Sequence, residues 1–227
     1  MIVKYIKCDV KATAMDWFSK GQECWQQTAL SDGFMVQTGG WDKTQAVILA
    51  LWDNMDSVQA FMQGAHDPIA AQASQQDHYL QLRVEYFNPL EYVAGRQVSN
   101  TSPAVSVTHL ANAITQAIAF QTFQYSVPVI NQAQWVSQQQ RHWQHVAANF
   151  TGFLGWQLMQ SNKRSEQLLV ISTWASFSEQ QYYQTHSCSL TLTSEQRLFD
   201  SINSHSVKVT PQWRVTADSL LPNIETC

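Results

Sequence analysis

Gly33-Phe34-Met35-Val36-Gln37-Thr38-Gly39-Gly40-Trp41-Asp42, followed by Ala46-Val47-Ile48-Leu49-Ala50-Leu51-Trp52 and then by Val58, Phe61, Met62, Ala65 and His66, decides the fold. The stretch reads as a helix exit at Gly33, two strands with a tight connection, a helix and a histidine. Ala46–Trp52 is apolar at nearly every position, the pattern of a central strand covered on both faces. The same order returns as Gly152-Phe153-Leu154, then Leu168–Trp174, a helix, and His186. Trp17 and Trp25 stand 8 residues apart, as do Trp135 and Trp143; Trp52 precedes His66 by 14 residues and Trp174 precedes His186 by 12. Paired landmarks with such small length changes indicate two duplicated domains.

Working outward, Ile2–Val10 alternates as a strand. A helix over roughly 13–30 would place Trp17, Gly21, Cys24, Trp25 and Thr28 on one face. Asn54 or Asp56 suits an N-cap, and Pro68 marks a break soon after His66. Leu80–Phe87 alternates strictly. The order βαββαβ makes residues 1–88 a ferredoxin-like unit. Residues 89–119 are rich in turn formers and read as a linker with a short added strand or helix. Residues 120–217 form the second unit, with Trp135, Val136, Gln139, Trp143, Val146 and Ala147 striping its first helix. Asn131 with Gln134 and Ser176 with Glu179 resemble capping boxes. Residues 218–227 are a tail. The fold class is α+β: two tandem ferredoxin-like units whose antiparallel sheets are expected to pack face to face, since helices cover only one face of each.

The composition narrows the function. A formal charge of −4 with thirteen Lys plus Arg in 227 residues argues against a nucleic-acid partner, which needs clustered cations. No apolar run is long enough to span a bilayer, and no membrane partner is expected. Met1–Ile6 lacks the pattern of a signal peptide. Cys8, Cys24, Cys188 and Cys227 show no CxxC or zinc spacing, so they read as reduced thiols in a cytoplasmic protein, Cys188 being notable two residues after His186. The weakly charged surface leaves a homodimer of the fused chain open.

Met1-Ile2-Val3-Lys4-Tyr5-Ile6-Lys7-Cys8, Gly33-Phe34, Gly39-Gly40-Trp41, Leu51-Trp52 and Phe61-Met62 with His66-Asp67 together resemble a family of uncharacterised single-domain bacterial proteins that carry a provisional monooxygenase label. The family lies in the dimeric α+β barrel superfamily, beside the antibiotic-biosynthesis and heme-degrading monooxygenases. The resemblance covers residues 1–88; the second half matches in layout. It implies a barrel formed in cis and a ligand cavity between sheet and helices. Heme-degrading members use an Asn on the first strand, a Trp after the third and a His on the second helix. Trp52 and His66, and Trp174 and His186, match the last two in order. Neither first strand has the Asn, and the Trp-to-His gap is longer, so heme binding or degradation is a lesser alternative.

The candidate catalytic residues are His66 and His186, as general bases, each with the alternative of a buried structural imidazole. Trp52 and Trp174 would shape a pocket or fill the core, and Trp17 and Trp25 carry the same ambiguity. Phe61 joins them as a substrate-binding candidate. Tyr5, Tyr182 and Tyr183 could donate a phenolic proton. His142 and His145 read as a solvated helix face, and no metal or cofactor is expected. The reading is a cofactor-independent monooxygenase or related oxidoreductase acting on a small aromatic, with a non-catalytic small-molecule-binding or stress-related module as the alternative. In a third reading one half has lost its pocket and only packs against the other, with the second half the candidate.

Overall fold

The computed structural model describes residues 1–95, 106–186 and 198–217; Cys188 and Cys227 lie outside them. The chain divides into two compact units. One is Met1–Tyr86 with the segment from Val209 onward, and the other is Phe87–Lys208.

In the first unit the strands are β1 (Ile2–Val10), β2 (Phe34–Asp42), β3 (Gln45–Trp52) and the first half of β4 (Tyr79–Ala94). Their order is β4-β1-β3-β2, and a short strand at Val215–Thr216 extends the β2 edge. The helices are α1 (Met15–Gln22), a 3-10 segment (Glu23–Leu30), α2 (Met55–Gln63) and α3 (His66–Ala73). Asn54 caps α2 by accepting from the Ser57 N–H at 2.9 Å, as its residue type predicts. Gly33 takes φ +73°, and a Cβ there would lie 2.3 Å from Asp53 Oδ1. The chain can therefore turn into β2 there only as glycine.

Two expectations for these helices are corrected. The long first helix tightens to 3-10 geometry at Glu23, and three residues per turn shifts the phase of its buried stripe. Phe18, Gln22, Trp25 and Thr28 turn inward, while Trp17 is left 64% exposed. Pro68 does not end the helical region. It sits in the first turn of α3, where a missing N–H costs nothing.

The second unit repeats the plan with β5 (Ala119–Ser126), α5 (Val129–Asn149), β6 (Phe153–Ser161), β7 (Gln167–Trp174), α6 (Phe177–His186) and β8 (Ser201–Val209). Its order is β8-β5-β7-β6, and the second half of β4 pairs with β6. The residues read as linker thus begin as strand, with Pro89 at a register irregularity before Glu91. The helix α4 (Ser106–Gln116) then precedes β5. Asn131 is inside α5 rather than its cap, whereas Ser176 does accept from the Glu179 N–H at 3.4 Å.

The duplication extends to register. Trp52 stands opposite Ile2 and Phe34, and Trp174 opposite Ala119 and Phe153. Each second strand carries the same irregularity, between Phe34 and Val36 and between Phe153 and Gly155. Both units are antiparallel α+β sheets with their helices packed over Trp52 or Trp174.

Candidate functional site

Along β1 the side chains alternate, so Ile2, Lys4, Ile6 and Cys8 share one face and Val3, Tyr5 and Lys7 the other. The first face looks at the helices. Lys4 pairs across the sheet with Ala50, and Ala50 pairs on its far side with Gln37. A methyl between two long side chains leaves a hollow, and a cavity of about 150 Å³ opens there. Trp25, Trp52, Phe61 and His66 form its ring-lined wall, and Leu82 and Val84 line the β4 side. An apolar cavity of about this size suffices for a benzene ring.

The wall is braced. Gln75 Oε1 accepts from Trp25 Nε1 at 3.0 Å and from Gln22 Nε2 at 3.2 Å, while its own Nε2 donates to the Phe18 carbonyl at 2.7 Å. A Cβ at Gly21 would stand 2.5 Å from the Ala73 carbonyl oxygen, so glycine permits this close approach of α1 to α3.

Three of the lining residues carry a polar group without a conventional partner. Lys4 is 6% exposed, its Nζ is 3.5 Å from the Met62 sulfur and 5.8 Å from the Phe61 ring centroid, and no carboxylate pairs with it among the described residues. Burial pushes its amine down from the ordinary 10.5 to about 8. Thr28 Oγ1 and Trp52 Nε1 are buried with no hydrogen-bond partner. No aspartate or glutamate lines the cavity. Cys8 does line it, but burial first and Asp9 second push its thiol up to about 12, so it is no thiolate nucleophile.

His66 occupies the mouth, its side chain 22% exposed and its Nδ1 2.8 Å from Asp67 Oδ1. The ring lies 5.4 Å from Trp25 and 5.7 Å from Phe61. With Nδ1 engaged, Nε2 is the nitrogen left to exchange a proton.

The structure therefore gathers Trp25, Trp52, Phe61 and His66 from the sequence candidates, and it separates the others. Tyr5 is buried on the opposite face of β1, with Lys7 Nζ 5.0 Å from its ring centroid. Trp17 points to solvent. His186 is exposed and stacks on Tyr182 at 4.2 Å, and Tyr182 is itself 57% exposed. Trp174 is buried in the core of the second unit and donates its N–H to Ser172 Oγ. His142 is not on a solvated face: it bonds the buried Tyr183 hydroxyl at 2.7 Å, and burial, then His145, lowers its pKa. Among the described residues no three His, Cys, Asp or Glu gather as a metal site. A heme does not fit this cavity either, because a macrocycle exceeds a one-ring space and His66 is wedged between two rings.

Matching rows across the two sheets show which side chains take the place of the cavity row in the second unit. Lys4, Ala50 and Gln37 become Gln121, Ser172 and Trp156, and Ile6, Ile48 and Gly39 become Phe123, Val170 and Leu158. Trp143 stacks on Trp156 at 6.1 Å and on Phe153 at 5.7 Å, filling the equivalent space with rings.

Sequence reasoning missed Lys4, Ala50 and Gln37. The available signal was a lysine on a strand face otherwise occupied by Ile2 and Ile6, but Lys7 gave the opposite face the same mark.

Residues 2–87 match a family described as a domain of unknown function, DUF4937. The uncharacterized protein YdbC of Bacillus subtilis (strain 168) is 32% identical over 92 residues, covering 38% of this chain and 77% of that protein. The chain belongs to the DUF4937 family. Every residue that lines the cavity lies within the DUF4937 match, from Lys4 to Val84. Among solved structures, a provisionally assigned monooxygenase from Lactobacillus acidophilus NCFM superposes with a TM-score of 0.64 over 95% of this chain and 96% of its own, at 10% identity. An anthrone oxidase-like protein gives 0.65 over 98% and 95%, also at 10% identity. Such identities show the fold alone, which is that of the dimeric α+β barrel proteins. No helix among the described residues is long and apolar enough to cross a membrane.

Proposed function

We propose that the first unit is a cofactor-independent oxygenase for a small aromatic molecule held between its sheet and its helices. The observation that carries this reading is the buried Lys4 ammonium, which faces a ring-walled cavity with no carboxylate to balance it. A cation so placed lowers the energy of a substrate that has lost a proton, and an electron-rich aromatic anion can itself reduce dioxygen. His66 at the mouth takes the proton through Nε2, with Asp67 holding Nδ1. Dioxygen is the oxidant and the substrate is the sole reductant. One oxygen atom forms the new C–O bond, the O–O bond breaks, and the other atom leaves as water with two hydrogens from the substrate. The fold shared with an anthrone oxidase-like protein supports this chemistry by analogy only. In this reading the second unit, its equivalent space filled, binds nothing.

Oxygen uptake by the full chain with a panel of single-ring hydroquinones tests the proposal. Uptake that falls on His66→Ala is expected. Ligand binding with no uptake above the buffer rate would leave a non-catalytic binding module.

A further inference from the structure

Lys4 and Lys7 are both buried on β1, on opposite faces, and they are not equivalent. Lys7 Nζ stands 3.9 Å from Glu85 Oε2; burial lowers its pKa, and the Glu85 charge opposes that. Lys4 lines the cavity, where no carboxylate balances it, and its hydrogen-bond partner among the described residues is the Met62 sulfur at 3.5 Å. The fold needs no amine at this position, since the second unit builds the same sheet with Gln121 there. Desolvation without a counter-charge favours the neutral amine, which is the nucleophilic form, and Lys4 reaches it at about pH 8. The other lining nucleophile, Cys8, stays a thiol at that pH.

We infer that Lys4 is a covalent capture site, and that the ligand it takes is a single-ring aromatic aldehyde held as a Schiff base. A carbonyl carbon is the electrophile with which an amine condenses reversibly, and the walls at Trp25 and Phe61 suit a ring beside it. A cavity of about 150 Å³ has room for one ring with its carbonyl group. The Nζ lone pair forms a C–N bond to the carbonyl carbon, and a proton passes from nitrogen to oxygen. The C–O bond then breaks, and the oxygen leaves as water with a second proton, supplied by His66 Nε2. A protonated imine remains, so the positive charge at Lys4 is restored and no electrons change hands. His66 suits the acid role because its ring and the Lys4 amine approach the same Phe61 ring, at 5.7 and 5.8 Å. This activity goes beyond the oxygenase reading: it shares the cavity and needs no dioxygen.

The test incubates the full chain with benzaldehyde at about pH 8, reduces it with cyanoborohydride and maps benzyl groups by peptide mass spectrometry. Lys4 should be labelled at least about tenfold more heavily than the exposed Lys11, Lys20, Lys43, Lys163 and Lys208. Lys4→Met should lose that label. Ile6→Phe, which fills the cavity and leaves the amine in place, should lower labelling of Lys4 about tenfold. Benzyl alcohol, the same ring without a carbonyl, should bind by calorimetry and protect Lys4. A label no richer on Lys4 than on the exposed lysines overturns the inference, as does undiminished labelling of Lys4 in Ile6→Phe. Benzyl alcohol binding without Lys4 labelling sinks this inference alone. Failure of both probes to engage the cavity sinks the cavity reading with it.

Discussion

The indole N–H of Trp174 is donated to Ser172 Oγ at 3.1 Å, whereas Trp52, at the same register position of the other unit, stands two residues from Ala50 with no acceptor. A buried donor left unpaired costs about 1–3 kcal/mol. Ala50→Ser should recover about 1 kcal/mol by giving Trp52 its acceptor. Denaturant midpoints of the two proteins check it, and an unchanged or lower midpoint would contradict the expectation.

Lys4 destabilises the fold in a pH-dependent way. Its amine ionises near 8 in the folded protein against an ordinary 10.5. Below about pH 8 it is charged in both states and folding bears the whole burial cost. Between about 8 and 10.5 the unfolded chain holds more protons, so this contribution makes stability rise with pH. The shift corresponds to roughly 3 kcal/mol. Lys4→Met should therefore be about 1–3 kcal/mol more stable at pH 7, and the rise toward pH 10 should disappear. Urea titrations at pH 7, 8.5 and 10 measure it, and a less stable Lys4→Met at pH 7 would contradict the burial cost. More stability with less binding is the signature of a residue kept for function.

Filling the cavity by copying the second unit should silence it. Ile6→Phe places the Phe123 ring type at the matching position of β1 and should cost at most about 1–3 kcal/mol in stability. Phenol affinity should fall at least tenfold. Conversely, Trp156→Ala in the second unit, where the ring is fully buried, should cost about 3–5 kcal/mol. Calorimetric melting of both variants, with and without ligand, reads these outcomes.

The two histidines should part company. His66 touches Trp25 and Phe61 at the cavity mouth, while His186 lies exposed against Tyr182. His66→Ala should lower oxygen uptake by about 10²-fold, the usual contribution of a positioned base. His186→Ala should leave it unchanged, and equal loss in both variants would speak against a cavity-specific base.

The fold was more legible than the site. Alternation in Ile2–Val10, the apolar run Ala46–Trp52 and the paired tryptophan spacings gave the strands, the helix order and the repeat, because each is a local or periodic property. Trp52, Trp25, Phe61 and His66 could be named as pocket candidates. Trp17 was lost because the switch to 3-10 geometry at Glu23 rotates the helix face. Tyr5 was lost because an alternating strand offers aromatics to both faces without saying which meets the helices. His186 was lost because its helix ends in solvent.

By itself the sequence determined that two like units are built in tandem, each with helices over an antiparallel sheet. Only the tertiary structure decided that the first unit is hollow while, among the described residues, rings fill the equivalent space of the second. That difference depends on which side chains meet in one row across three strands: Lys4 with Ala50 and Gln37, against Gln121 with Ser172 and Trp156. Those neighbours are far apart in the chain, and the burial that strips Lys4 of water exists only once the row is assembled.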